Sequence, residues 1–290
     1  MSYESIKNYF AKGLWSADMV KDAVKKDVIT MAQYEEITEQ KYALAVLNTH
    51  LKRSFLGALR NCNYDNSITK LGDTVNYNGN ADITLQNADG TLRQISNSNS
   101  VLTIDYSVSY NFSMSDAGSN LANEDSLDAS MSMVVNGIVE SGEYNVLSKC
   151  LEEAGSKYSG AIPTGGVYEL IVMLKMVMDK KNVPRSGRAL VVPPAVEAEL
   201  LLDARVVTGN GAISGARPAD GVVARVAGFD IYASNNSLVA SGTMVGFHPN
   251  GITFASQTNH TENGDVKQGV YLYGVGVSNA DYVTVFTLTA

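Results

Sequence analysis

The run Ala189-Leu-Val-Val-Pro-Pro-Ala-Val-Glu-Ala-Glu-Leu-Leu-Leu202 sets the architecture of the chain. Leu190-Val191-Val192 is a short apolar strand, and Pro193-Pro194 ends it while fixing φ for the first turn of a helix. Working outward, Val167, Leu170, Ile171, Leu174 and Met178 recur at helical spacing, which predicts a buried helix upstream. That helix closes at Asn182-Val183-Pro184, because proline disfavours helical geometry in the residue before it, and Arg185-Ser-Gly187 turns the chain into the strand. Downstream the chain returns through Val222 to Asn236, where β-branched residues flank a Gly228 that marks a bulge or turn.

Two further words follow, Gly246-Phe247-His248-Pro249-Asn250 and Ile252-Thr253-Phe254-Ala255. Taken in order with Val192-Pro193-Pro194 and Gly228-Phe229-Asp230-Ile231, they resemble the axial domain of tailed-phage major capsid proteins of the Hong Kong 97 type. The resemblance covers about residues 51–290. It implies a mixed α/β (α+β) fold: an N-arm linker over 51–72, an E-loop β-hairpin over 73–116 and the peripheral domain's long spine helix over 117–160. The axial domain would occupy 161–265, and C-terminal strands over 266–290 would join the axial and peripheral domains. The function it implies is that of a coat protein. Copies form pentameric and hexameric capsomers of an icosahedral phage head around double-stranded DNA, assembled in the host bacterial cytoplasm and found in the virion. Portal, scaffold and decoration proteins are the implied partners.

Residues 1–50 read as a separate helical module. Ile6, Tyr9 and Phe10 give one apolar face ended by Gly13; Ser16 caps a helix carrying Met19, Val20, Ala23 and Val24. Thr30-Met-Ala-Gln33 is a capping-box pattern opening a third helix, expected to run through Tyr34 and Ile37 past Leu44 and Leu47. In Tyr9-Phe10, Gly13-Leu14-Trp15-Ser16, Val28-Ile29-Thr30, Gln33-Tyr34 and Glu36-Ile37-Thr38 the module resembles the XkdX type of short phage peptide. It departs at Asp27 and Glu39-Gln40, where that type tends to have glycine. The alternative is a plain N-terminal arm of the coat protein, and Tyr9, Phe10, Trp15 and Tyr34 are the expected N-arm interface residues. Starting at Met1, the chain is expected to carry no cleaved pro-segment.

From Asp73 the pattern changes to period two: Val75 and Tyr77, then Ile83 and Leu85, a turn at Asn87-Ala-Asp-Gly90, then Leu92. Leu102, Ile104, Tyr106, Val108, Tyr110, Phe112 and Met114 alternate with polar residues and read as one returning strand. The two sides would make a long hairpin arm around Ser96-Asn-Ser-Asn-Ser100. An isolated hairpin is marginal in water, so its apolar face needs something to lie on. By the capsid resemblance this is the E-loop, with Tyr77, Ile83, Leu85, Leu92, Tyr106 and Tyr110 touching a neighbouring subunit; otherwise it is an ordinary sheet of the same chain's core. Residues 121–153 read as a long helix with Leu127, Met131, Val134, Val135, Ile138, Leu147 and Leu151 on one face and Gly137 and Gly142 in it. That is the spine helix by resemblance, or an amphipathic core helix. The tail from Val266 to Leu288 is strand-rich and would complete the axial sheet's edge.

The chain has 290 residues, 18% of them charged, with 22 basic against 30 acidic and a net charge of −8. A low charged share suits a surface spent on contacts with copies of itself. A wall with this acidic balance repels phosphate, so DNA would be enclosed without sequence-specific binding. Cys62 and Cys150 lie in no ligand spacing and read as two reduced thiols. No segment reads as a signal peptide or a membrane span, so a soluble, unexported protein is expected.

Nothing reads as catalytic chemistry. His50, His248 and His260 are scattered, and no nucleophile elbow, phosphate loop or metal pair is present in the sequence. Gly209, Gly211 and Gly215 fall one residue out of the dinucleotide fingerprint with no strand-to-helix junction around them. Met173, Met176 and Met178 read as adaptable core filler. Catalytic, cofactor and metal sites are therefore all expected to be absent. Some capsid proteins of this type bond covalently through an E-loop lysine; this chain has no lysine between Lys70 and Lys149, so its shell would be held non-covalently. An encapsulin-like nanocompartment shell around a protein cargo is the alternative on the same fold. A carbohydrate-binding or hydrolytic phage tail module, suggested by the Asn, Ser, Thr and Tyr content, is the alternative from another class.

Overall fold

The structure is a computed structural model. It describes residues 2–26, 28–38, 42–59, 68–78, 83–86, 92–95, 99–113, 124–208, 221–263 and 266–289. Helices α1 (Tyr3–Ala11), α2 (Ala17–Lys25), α3 (Met31–Thr38), α4 (Tyr42–Arg53) and α5 (Leu56–Leu59) open the chain. Their starts are set locally. The Ser16 hydroxyl accepts the Met19 N–H at 3.3 Å, and the Thr30–Gln33 box closes both ways, Gln33 N–H to Thr30 Oγ1 at 3.2 Å and Thr30 N–H to Gln33 Oε1 at 2.9 Å. The single helix expected from Thr30 past Leu47 is found as α3 and α4; residues 39–41 and Asp27 lie outside the described residues.

These helices are not a detached module. Ile6, Val20, Val24, Tyr34, Leu47, Leu51, Phe55 and Leu56 are buried in one core with Ile138, Val146 and Leu147 of α6 (Glu124–Glu153). The linker expected from residue 51 instead begins as the end of α4 and the buried turn of α5. Gly142 of α6 faces Leu56, and a Cβ there would lie 2.9 Å from Leu56 Cδ1, so this glycine allows close packing of α5 on α6; Gly137 has nothing near it.

The hairpin region departs from expectation in an informative way. β1 (Thr74–Asn78) pairs antiparallel with β4 (Asn99–Thr103), and between them β2 (Ile83–Gln86) pairs antiparallel with β3 (Leu92–Ile95). The β2-to-β3 connection therefore falls on residues 87–91, outside the described residues, and not around Ser96–Ser100. The returning strand is not one strand. β4 ends at Thr103, Ile104 still bonds the backbone of Gly72 and Asp73, and β5 (Tyr106–Ser113) then pairs with β12 (Val266–Val277). β11 (Ile252–Asn263) completes that three-stranded sheet on the far side of β12.

The Pro-Pro unit forms as read. α7 (Gly166–Lys180) ends with Asn182 in the left-handed region at φ 56°, a conformation asparagine tolerates better than most residues. β7 (Arg188–Val192) follows, then Pro194 at the first turn of α8 (Pro194–Leu202) and the short α9 (Ala204–Thr208). The α7-to-β7 connection is held by Arg188, 1% exposed, whose guanidinium donates to Asp179 Oδ1 and the Val183 carbonyl at 2.7 Å and to the Pro184 carbonyl at 2.8 Å. β8 (Ala224–Val226) and β9 (Phe229–Ala233) meet through Ala227 and Gly228 at φ 50° and 89°, the two positive φ values of a tight hairpin turn. After α10 (Ser237–Ala240) come β10 (Thr243–Phe247) and, at the C-terminus, β13 (Val283–Leu288).

Together with β6 (Ser156–Gly160) these strands form a six-stranded mixed sheet, ordered β6-β13-β10-β7-β9-β8. β13 lies inside the sheet between β6 and β10, and not at its edge as expected, because the parallel strand β6 covers it. The sheet separates two cores, and period two explains how. Leu190, Val192, Ile231 and Met244 face α7 and α8, while Ala189, Val191, Val245, Phe247, Val283 and Val285 face α6 and the N-terminal helices. A strand buried on both faces reads as an unbroken apolar run, which is what Leu190–Val192 is.

Candidate assembly surfaces

The hairpin is rooted in a small core of its own. Ile68, Val75, Leu102 and Ile104 pack on Ala255 of β11 and Leu272 of β12. Beyond that root, β2 and β3 form a two-stranded sheet with no third strand among the described residues. Tyr77 lies in β1, Ile83 and Leu85 in β2 and Leu92 in β3; their side chains are outside the described part. Tyr106 and Tyr110 are elsewhere. Both are half-buried in β5 and pack on the main core, the Tyr106 ring stacked 5.1 Å from Tyr273. The structure thus gives the six residues expected at one arm to three different sheets: Tyr77 to β1–β4, Ile83, Leu85 and Leu92 to β2–β3, and Tyr106 and Tyr110 to β11–β12–β5.

Of the expected N-arm residues, Tyr34 is 1% exposed and Phe10 packs partly buried on the core. Trp15 likewise packs partly buried on the core, while Tyr9 is 38% exposed; their rings stack at 6.3 Å because the Leu14 and Trp15 N–H groups fold back onto the Tyr9 carbonyl. Sequence reasoning missed the exposed flank of α7. Met173 and Met176 are about half exposed, with Val172 beside them, and Leu202 at the end of α8 is 86% exposed; only Met178 of the three methionines is buried core. Helical phase was the signal: Met173 and Met176 sit off the Leu170–Leu174–Met178 face.

Titratable groups inside the chain act as fasteners. Glu143 of α6 accepts from Ser54 Oγ at 2.7 Å and from Ser234 Oγ at 3.1 Å, joining the α4–α5 turn, the long helix and the end of β9. Burial pushes its carboxyl pKa up, the two hydroxyls pull it down, and the Glu140 charge adds to the rise. A raised folded pKa means stability is gained as pH falls through it and is fully present only below the unfolded value of about 4.3. Glu143→Gln removes that cost. Its thermal midpoint is expected to lie above the wild type at neutral pH and to lose this advantage as pH drops into the carboxylate range; an advantage that does not change with pH counts against the assignment. His248 caps the turn it precedes, its Nδ1 accepting from Asn250 N–H at 3.2 Å and its Nε2 facing the Ser186 carbonyl at 3.1 Å. Burial lowers its pKa, as befits a neutral structural histidine. Cys150 is buried with its pKa pushed up to about 12, which leaves an inert thiol; Cys62 lies outside the described residues. Among the described residues no three His, Cys, Asp or Glu side chains group to hold a metal, and no helix is long and apolar enough to cross a membrane.

No curated protein sequence matches the chain. Residues 3–42 match a family model described as a phage uncharacterised protein of the XkdX type. Among solved structures, a chain from the capsid of cyanophage P-SCSP1u is similar at a TM-score of 0.53 and 15% identity, over 78% of this chain and 86% of that one. This is the phage capsid fold. A chain from Mycobacterium phage Cain gives 0.51 at 11% identity over 90% of this chain and 99% of that one. A virus-like particle chain from Pyrococcus furiosus gives 0.50 at 16% identity over 83% and 96%. Here the XkdX-like residues supply helices that complete the core beneath α6.

Proposed function

We infer that the chain is a phage major capsid protein that assembles into a closed shell around double-stranded DNA, with a structural and non-catalytic role in the virion. The observation that supports this most is the capsid fold itself, matched along 86% of a cyanophage capsid chain. The two-stranded β2–β3 unit supports it too. With no third strand paired to it among the described residues, such a unit gains stability from a neighbouring copy. The half-exposed Met173 and Met176 flank and Leu202 supply further apolar surface on the opposite side of the molecule from the N-terminal helices. The net charge of −8 keeps a lining of this protein from gripping DNA. Likeness to the Pyrococcus furiosus particle is no greater than to the phage chains, so a cargo compartment gains no support over a phage head.

The chain expressed alone and imaged by negative-stain electron microscopy is expected to give shells, tubes or ring-shaped capsomers. A monomer that persists well above micromolar concentration, with and without a co-expressed scaffold, would sink the coat reading.

A further inference from the structure

Two of the connections between the six-stranded and the three-stranded sheet are short turns that pack on each other. β10 leads through Pro249–Gly251 into β11, and β12 returns through Ala280–Tyr282 into β13. Hydrogen bonds stitch this corner together. The Gly251 carbonyl accepts the Ser278 and Asn279 N–H groups at 2.9 and 3.2 Å, the Tyr282 carbonyl accepts the His248 N–H at 3.0 Å, and Ser278 Oγ donates to the Asn250 carbonyl at 3.0 Å. The fit is tight, since a Cβ on Gly251 would lie 2.4 Å from Tyr282 Cβ.

His248, 7% exposed, ties both turns to a third segment. Its ring meets Tyr282 edge-on at 5.7 Å, caps the Pro249–Gly251 turn through the Asn250 N–H, and reaches the Ser186 carbonyl in the α7-to-β7 connection. A backbone N–H can only donate, so Nδ1 accepts and the single ring proton sits on Nε2, donating to Ser186. A second proton on Nδ1 would face the Asn250 N–H, donor against donor. The surroundings bring no anion to hold it. From the α7-to-β7 side come Arg188, whose cation opposes another charge, and Arg185, which is 81% exposed. Asp179 is taken by Arg188 and Lys175, Asp281 of the return turn by Lys181 at 2.6 Å, and α5 carries no charged side chain. Burial and then Arg188 keep the ring pKa down, against the pull of the Ser186 carbonyl.

We propose that His248 is a proton-operated latch on this corner: neutral, it locks the two turns together, and protonated, it releases the Pro249–Gly251 turn and frees the β11–β12 pair to bend against the six-stranded sheet. The latch belongs to the single chain and stands apart from the coat reading. Because the hairpin's root packs on Ala255 and Leu272 of that pair, the release reaches the hairpin too. The pH window follows from the sign. A folded pKa below the unfolded one means that the contribution is fully present above about 6.5 and is lost as pH falls through the folded value. Glu143 runs the opposite way, so the two effects are separable.

Amide hydrogen exchange of the full chain, corrected at each pH for the intrinsic rate, tests the latch. Between pH 7.5 and 5, protection of peptides covering residues 249–252 and 277–283 is expected to fall about fivefold, the usual worth of a helical N-cap, while peptides from β7 hold. Deuterium exchange at the ring carbon between the two nitrogens gives His248 its own titration midpoint, which should coincide with that fall. His248→Asn keeps a side-chain oxygen for the Asn250 N–H and cannot titrate, so its corner should stay protected throughout. A flat wild-type profile overturns the proposal. So does a fall whose midpoint departs from that of the ring, or an equal fall in His248→Asn. The first two outcomes need only the wild type and decide the matter even if the variant misfolds.

Discussion

A chain in which residues 79–98 are replaced by Asn-Gly is expected to fold and to fail to assemble. The graft joins Asn78 to Asn99, which already face each other across β1 and β4, through a two-residue turn that such strands accept. The root stays whole, since Ile68, Val75, Leu102, Ile104, Ala255 and Leu272 are all kept. Its thermal midpoint should therefore stay close to the wild type. Assembly is a different matter: a contact worth about 2.7 kcal/mol is a factor of about 100 in concentration, and a shell repeats the contact in every copy. Sedimentation velocity should show small species at concentrations where the wild type is fully in shells. Shells of normal size from the shortened chain would remove β2 and β3 from the assembly mechanism.

Phe55→Ala is expected to be the most damaging single substitution for stability. Phe55 is 1% exposed and sets its ring edge-on to Phe247 of β10 at 6.1 Å, so it fastens the α4–α5 turn to the central sheet. Removing a buried phenylalanine side chain costs about 3–5 kcal/mol through lost transfer energy and the cavity left behind. For a chain of this size that corresponds to a fall in thermal midpoint of roughly 6–10 °C. Amide exchange should rise first along α1 to α5, the helices this residue holds against the sheet. A midpoint within about 1 °C of the wild type and unchanged exchange would show that the helices are held by α6 alone. Neighbouring Gly221 at φ 76° makes the same junction intolerant, because a Cβ there would sit 1.7 Å from the Arg53 carbonyl oxygen.

Several residues expected at assembly surfaces pack inside the chain, and these misreadings have a common cause. Of the four aromatics expected at an N-arm interface, Tyr9 is exposed, whereas Tyr34 is buried and Phe10 and Trp15 pack partly buried on the chain's own core. Short aromatic words show which side chains need burial or contact, without showing whether the partner is the same chain or another. The run from Leu102 to Tyr110 is the sharper case. Its period-two alternation continues without a fault, yet Leu102 and Ile104 enter the hairpin's root while Tyr106, Val108 and Tyr110 pack on the main core. Alternation reports which face a residue is on and says nothing of which strand lies beside it. Met173 and Met176 were misjudged for a related reason, since a methionine-rich helix looks apolar all round until its neighbours define the buried stripe.

By itself the amino-acid sequence determined the parts whose causes are local: the caps at Ser16 and Thr30, the helix stop at Asn182-Val183-Pro184, the Pro-Pro start of α8 with the doubly buried strand β7 before it, and the turn at Gly228. The ordered words through the Pro-Pro corner also pointed to the capsid fold. Only the tertiary structure decided that β13 lies between β6 and β10, that the returning strand changes partner at Ile104, and that the N-terminal helices share one core with α6. Those choices depend on contacts between residues far apart in the chain, where the free energy comes from which surfaces are brought together. A local pattern records that a surface is apolar, and the folded chain alone selects what covers it.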